Sequence, residues 1–183
     1  EKHDHVDLQF AGGKCLRFSD PRRFGCLLWT TELPHQHPLL VNLGPEPLDE
    51  SFNALYLWQR AQGKKVAIKN FLMDSHVVVG IGNIYAAESL FRAALNPARP
   101  AGSLSEEMCR DLVISIQETL CNAIERCGTT MRDFRRADGT SGSFQHELQV
   151  YGHQGKPCRT CGTLLITMRL GGRASCCCPA CQR

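Results

Sequence analysis

Eleven of the 183 residues are cysteines, and four of them stand in a pattern that does chemistry. Cys158 and Cys161 form one C-x-x-C knuckle and Cys178 and Cys181 a second, with residues 162–177 between them. Four thiolates at this spacing meet tetrahedrally around Zn²⁺ when the intervening chain folds as a β-hairpin. The chain between them reads that way: Leu164–Leu170 as the first strand, Gly171-Gly172 as the turn, Arg173 onward as the return. So small a segment has too little apolar surface to stay folded without the metal. The alternative is a pair of disulfides or a redox C-x-x-C. Cys176 and Cys177 leave the register open, since either is an alternative to Cys178, but Cys178 keeps the two-residue gap to Cys181. The preferred set is one structural Zn²⁺ on Cys158, Cys161, Cys178 and Cys181.

Charge is the second chemical signal. Residues 1–50 hold 5 Lys/Arg against 8 Asp/Glu, a balance of −3, while residues 51–183 hold 16 against 10, a balance of +6. A basic C-terminal portion suits a polyanionic partner, although an ordinary solvated surface carries such a balance as readily. No run of eighteen apolar residues and no basic-apolar leader is found, so a soluble, unexported, cytoplasmic protein without membrane contact is expected. Cys15, Cys26, Cys109, Cys121 and Cys127 lie scattered through apolar patterns and are expected to be small core residues of a reduced protein.

The elements that would position these groups change character along the chain. Val6–Phe10 and Cys15–Phe18 alternate around Gly12-Gly13, and Phe24–Trp29 reads as a further strand, giving three or so strands. Pro34, Pro38, Pro45 and Pro47 then mark a boundary. Beyond it a helix is expected after Asp49-Glu50-Ser51 as far as Gln62, and a short one within Lys65–Met73. Two glycines interrupt Val77–Tyr85, and Asn83 is placed to cap a helix over Ile84–Ala94. Ser103 or Ser105 opens a longer helix to Arg126, with Leu112, Ile116, Leu120 and Ile124 on one face. Residues 129–152 read as a mobile basic loop.

Taken in order, Glu1–Leu8, Asp20–Gly25, Leu43–Leu48, Val79–Ala86, Gly128–Phe134, Glu147–Gly152 and the four-cysteine ribbon with Arg173 resemble the formamidopyrimidine-DNA glycosylase family, of bacterial type. The stretch Gly128–Gly152 resembles that family's base-capping loop and sets it apart from the endonuclease VIII branch. The resemblance implies an α+β architecture: residues 1–43 as the C-terminal part of an N-terminal β-sandwich domain, a partial remnant of it. Residues 44–152 would be a helical helix-two-turns-helix DNA-binding domain with the base-capping loop at 129–152, and 153–183 the zinc ribbon. It further implies base-excision repair by a bifunctional glycosylase and AP lyase acting on double-stranded DNA with oxidised purines, as a monomer.

The family's residues fall on named positions of this chain. Asn83, with the amides of Gly80 and Gly82, would hold a phosphate at a helix N-terminus. Lys65 and Lys69 match DNA-contacting lysines, the second near the lesion, and His3 matches a further DNA contact. Arg22 and Phe24 match the pair that fills the void left by an extruded nucleotide. Arg173 matches the arginine that grips phosphates beside the lesion and assists the last elimination, which makes it the catalytic candidate. The family's N-terminal proline nucleophile and first-domain lysine have no counterpart here, since the chain opens with Glu1-Lys2. The expectation is therefore a chain lacking the N-terminal third, which binds damaged DNA. The competing readings are a non-enzymatic, zinc-dependent DNA-binding module and a ribbon used for protein contacts.

Overall fold

In the computed structural model, which describes residues 2–129 and 142–183, the alternating residues near the start pair as expected. Strand β1 (Asp4–Gln9) runs antiparallel to β2 (Cys15–Ser19), with Val6 opposite Phe18 and Leu8 opposite Leu16. Gly12 and Gly13, at φ 88° and 78°, supply the left-handed turn between them. The third strand does not form. Phe24–Trp29 has no ladder partner among the described residues, and an apolar run alone makes no strand without a neighbour to bond. Trp29 is accordingly 92% exposed.

The chain divides into two compact units, Glu1–Val41 and Asn42–Arg183. Among the described residues the second is built on four α-helices: α1 (Ala54–Ala61), α2 (Ile68–Leu72), α3 (Asn83–Arg92) and α4 (Glu106–Glu125). Their apolar faces enclose one core that includes Phe52, Leu57, Ile68, Leu72, Leu90, Leu112 and Ile116. Each such side chain contributes about 1.5–3 kcal/mol of transfer free energy. Asn53 caps α1 by accepting the Tyr56 amide at 3.0 Å. Ser105, rather than Ser103, caps α4 through the Met108 amide at 3.1 Å.

The long helix buries Leu112, Ile116 and Leu120 as expected but leaves Ile124 63% exposed. Four residues advance about 40° beyond a full turn, so three such steps rotate Ile124 about 120° off the face. Ala123 fills that place instead. Of the five scattered cysteines only Cys109 is buried, and burial pushes its thiol up to about 11; Cys15, Cys26, Cys121 and Cys127 are exposed. Apolar neighbours in sequence put a small thiol inside only if its own position faces the core.

The ribbon hairpin joins β3 (Ile166–Leu170) to β4 (Arg173–Cys177), with Leu170 opposite Arg173. Gly171 and Gly172 both take positive φ, 54° and 76°, as a two-residue turn of this hand needs. It packs within the same unit as the helices. Val150, Cys158, Leu165 and Cys176 share a cluster with Ala87 of α3. Gln182, 2% exposed, donates to the Leu95 carbonyl at 2.8 Å and accepts the Cys178 amide at 2.9 Å.

Part of the basic loop lies outside the described residues, at 130–141. After it, Phe144–His146 forms a 3₁₀ turn, and Phe144, Leu148 and Val150 are buried. Apolar residues at 144, 148 and 150 give that stretch a face to bury, which a loop reading overlooks. Among the described residues no helix is long and apolar enough to cross a membrane.

Candidate functional site

The four cysteines of the two knuckles come together. Their sulfurs all lie within 4.8 Å of one another, with Cys158 to Cys181 at 4.0 Å and Cys161 to Cys178 at 3.5 Å. A tetrahedron with bonds of about 2.3 Å has edges of about 3.8 Å, so the set is dimensioned for one metal ion. Cys178 is the one that joins the other three. Cys176 and Cys177 turn aside into the fold, at 7% and 1% exposure. They are residues of β4, and Cys176 packs with Ala87, Val150 and Leu165.

Three of the candidate residues converge where β4 leaves the hairpin turn. Arg173 is exposed at the start of β4, beside the Ala174 carbonyl. That carbonyl accepts from Lys69 Nζ of α2 at 3.3 Å and from Asn83 Nδ2 of α3 at 3.4 Å. Lys69 also donates to Ser175 Oγ at 2.8 Å. Gly171 adds a backbone contact, since any Cβ there would stand 2.8 Å from the Asn70 side chain. Helices α2 and α3 thus hold the strand backbone on either side of Arg173.

Lys69 differs from the solvated lysine that its spacing predicts. It is 1% exposed, and its hydrogen bonds go to a carbonyl and a hydroxyl, both neutral. Burial first, and the Arg173 charge second, pull its amine down from 10.5 to about 8. Lys65, by contrast, is exposed, in the segment leading into α2.

Asn83 is the first residue of α3 and does not cap it. The N-cap is Gly82, in extended conformation with no side-chain cap bond. Glycine fits the entry, because Gly80 just before it takes φ 76°. The helix start therefore keeps open backbone donors, a local arrangement favourable to anions. Asn83 Oδ1 is buried without a hydrogen-bond partner among the described residues, so its amide is held in place by the donor end alone. A cavity of about 320 Å³ opens beside it, lined by Tyr151, Gln154, Thr167 and Cys176 among others.

The first unit carries His3, Arg22 and Phe24, all exposed. The Arg22 guanidinium lies 4.8 Å from the Phe24 ring centroid, and Phe24 is 80% exposed. An aromatic ring displayed with a cation stacked on it is unusual for a strand residue buried in a sheet.

Comparison with known proteins agrees across the chain. Residues 43–135 match the family described as Formamidopyrimidine-DNA glycosylase H2TH domain. The formamidopyrimidine-DNA glycosylase of Methylococcus capsulatus is 56% identical over 182 residues, which are 100% of this chain and 67% of that protein. The chain belongs to the formamidopyrimidine-DNA glycosylase family. The glycosylase of Enterobacter sp. strain 638 is 54% identical, over 100% of this chain and 68% of its own length. The crystal structure of the MutM (Fpg) protein from Thermus thermophilus superposes with a TM-score of 0.91 at 40% identity, covering 100% of this chain and 69% of that one. The Lactococcus lactis Fpg, solved in complex with abasic-site DNA, does so at 0.87 and 35% identity, covering 100% and 67%. The family is one of DNA glycosylases with AP lyase activity in base-excision repair.

Two residues of this glycosylase-family site escape sequence reasoning. Glu88, 6% exposed on α3, accepts the amides of Gln149 at 2.8 Å, Val150 at 3.0 Å and Tyr151 at 2.8 Å. It anchors the segment that follows the basic loop and carries Tyr151 to the cavity beside Asn83. Its signal is an acid on the helix face of Ala87, Leu90 and Phe91, where burial demands partners. Ser175, fully buried, supplies the hydroxyl that Lys69 needs. A serine in a strand gives no such signal.

Proposed function

We propose that this chain binds double-stranded DNA at an oxidised purine, with one structural Zn²⁺ on Cys158, Cys161, Cys178 and Cys181. The observation that carries the reading is the meeting of Lys69, Asn83 and the Ala174 carbonyl behind the exposed Arg173. It puts an exposed guanidinium on a strand whose backbone is held from two helices, and an amide-rich helix start on the same unit, as phosphate recognition requires. The complex of the Lactococcus lactis Fpg with abasic-site DNA supports the same reading.

In this account Asn83 and the Gly80–Gly82 amides hold one phosphate, while Lys65 adds a sequence-independent contact. Arg173 grips phosphates beside the lesion and is the residue of this chain that assists the last elimination. His3 touches the backbone, and Arg22 and Phe24 fill the space left by the extruded nucleotide. Lys69 acts next to the lesion by holding β4. Residues 1–43, 44–152 and 153–183 serve as β-sandwich part, helical DNA-binding domain with its capping loop, and ribbon. The zinc maintains the ribbon and takes no part in chemistry; the protein works as a monomer in the bacterial cytoplasm.

Fluorescence anisotropy tests this with three duplexes: one with 8-oxoguanine, one with a tetrahydrofuran abasic analogue, one undamaged. Affinity should fall steeply with salt and favour the two altered duplexes. Asn83→Ala and Arg173→Ala should each weaken binding about tenfold, the scale of one charge-assisted hydrogen bond. Binding that neither substitution changes would refute the assignment.

A further inference from the structure

The loop that carries Arg22 and Phe24 takes its shape from one carboxylate. Asp20 Oδ1 accepts the amides of Arg22 at 3.1 Å and Arg23 at 2.9 Å, and Oδ2 accepts the Gly25 amide at 2.6 Å. Successive backbone N–H groups aimed at one point make a nest of the kind that elsewhere holds phosphate; here the loop's own carboxylate fills it. Arg23 sits at φ 55°, a left-handed conformation that a residue with a side chain keeps only when its surroundings fix it. Gly25 closes the turn against the same group: a Cβ there would stand 3.1 Å from Asp20 Oδ2 and 3.1 Å from Phe18 Cζ.

Asp20 is tied down on its other side as well. Its amide donates to the His3 carbonyl at 3.0 Å, and the His5 ring Nε2 lies 3.1 Å from the Asp20 carbonyl. One residue therefore joins the start of β1, with His3, to the loop with Arg22 and Phe24. The side chains themselves have almost no packing, Phe24 being 80% exposed. The backbone of this loop and the mutual stacking of guanidinium and ring at 4.8 Å set where they point. A wedge presented in its inserted shape binds without first losing loop freedom, which is how preorganisation raises affinity.

We propose that Asp20 is a positioning residue that preforms the Arg22–Phe24 wedge, and so governs preference for a lesion over intact duplex rather than affinity for DNA as such. The proposal rests on the reading of Arg22 and Phe24 as the void-filling pair. The hydrogen bonds, that of Gly25 foremost, hold the Asp20 carboxyl below the usual carboxylate range, so the nest stays filled by a charged group at neutral pH.

The test uses the full 183-residue chain and a duplex with a tetrahydrofuran site flanked by 2-aminopurine, against the undamaged duplex. Wild type should give a fluorescence change on the first that Phe24→Ala abolishes. If it does not, the wedge reading itself fails, and the proposal with it. With that change present, Asp20→Ala should reduce preference for the tetrahydrofuran duplex about tenfold, equal to about 1.4 kcal/mol, and leave undamaged binding unchanged. Asp20→Asn keeps an oxygen for the Arg22 and Arg23 amides but opposes an N–H to that of Gly25, so it should fall between. The double variant Asp20→Ala/Phe24→Ala should be no worse than Phe24→Ala alone, since a positioning residue has nothing left to position. Additive losses, or wild-type preference in Asp20→Ala, would overturn the proposal. So would loss of amide protection in β1 and β2 together with the preference, because Asp20 would then be holding the hairpin and not the wedge.

Discussion

Replacing Lys69 by methionine keeps the length of the side chain and removes its charge, which separates what the lysine does for stability from what it does for binding. The amine falls from 10.5 to about 8, chiefly through burial. Below about pH 8 both the native and the unfolded chain hold the proton, so the native state carries the whole cost, about 3 kcal/mol. Between about pH 8 and pH 10.5 the native amine is already neutral while the unfolded one is charged, and the cost fades. A lowered amine therefore gives a protein whose stability rises with pH across that window. Against the cost stand hydrogen bonds to Ser175 Oγ at 2.8 Å and the Ala174 carbonyl at 3.3 Å. Removing them, with Ser175 fully buried, costs about 1–2 kcal/mol.

The balance predicts that Lys69→Met is more stable than wild type by about 1 kcal/mol at about pH 6.5. Wild type should then regain about 2 kcal/mol on going to about pH 9.5, which reverses the order. Urea unfolding of both proteins at saturating zinc measures the two differences. DNA binding should move the other way at pH 7, because β4 and Arg173 lose their tie to α2. A stability difference that stays constant between the two pH values would refute the reasoning, since the buried charge would then carry no free-energy cost.

Chelating the metal should release the ribbon, because its folding and metal binding are one equilibrium; amide protection in β3 and β4 should vanish, and one zinc per chain should appear in a colorimetric titration. Lys65→Ala should lower the slope of log affinity against log salt by about one, equally on damaged and undamaged duplex. Glu88→Gln should cost about 2 kcal/mol, because an amide N–H₂ would face one of the three backbone donors, and hydrogen exchange at Gln149–Tyr151 should accelerate. Gly44→Ala should lower the melting temperature by several degrees, since its Cβ would overlap the Val77 carbonyl oxygen, a backbone atom with little room to give way.

What was legible in the sequence is what depends on spacing. The ribbon follows from two knuckles and a Gly-Gly turn, and α4 from a serine cap and an apolar face, because chain-local geometry leaves few alternatives. What was not legible depends on which partner the rest of the chain supplies. Asn83 has the composition of a cap, yet Gly82 takes that position and frees the asparagine to reach Ala174, 91 residues away. Lys69 looks like any exposed lysine until Ser175, 106 residues on, covers it. Phe24–Trp29 is apolar like a strand and finds no ladder partner among the described residues.

These misses share a cause that bears on function. Local pattern reports the surface a residue would present if alone, whereas a recognition site is assembled from residues whose polar atoms are satisfied at long range. Asp20, Lys69 and Glu88 each hold backbone groups of a segment that itself carries a DNA-facing candidate: the Arg22–Phe24 loop, β4 with Arg173, and the segment with Tyr151. In each case the ionic group sits behind the candidate and faces neutral backbone or hydroxyl partners. A charge spent on backbone in this way is expected to cost stability at Lys69 and to add it at Glu88, and in both places it fixes orientation to within a hydrogen bond's tolerance. Such a division of labour makes a simple demand on mutagenesis: a substitution behind a candidate should reproduce part of the effect of substituting the candidate itself, and should add nothing once the candidate is gone.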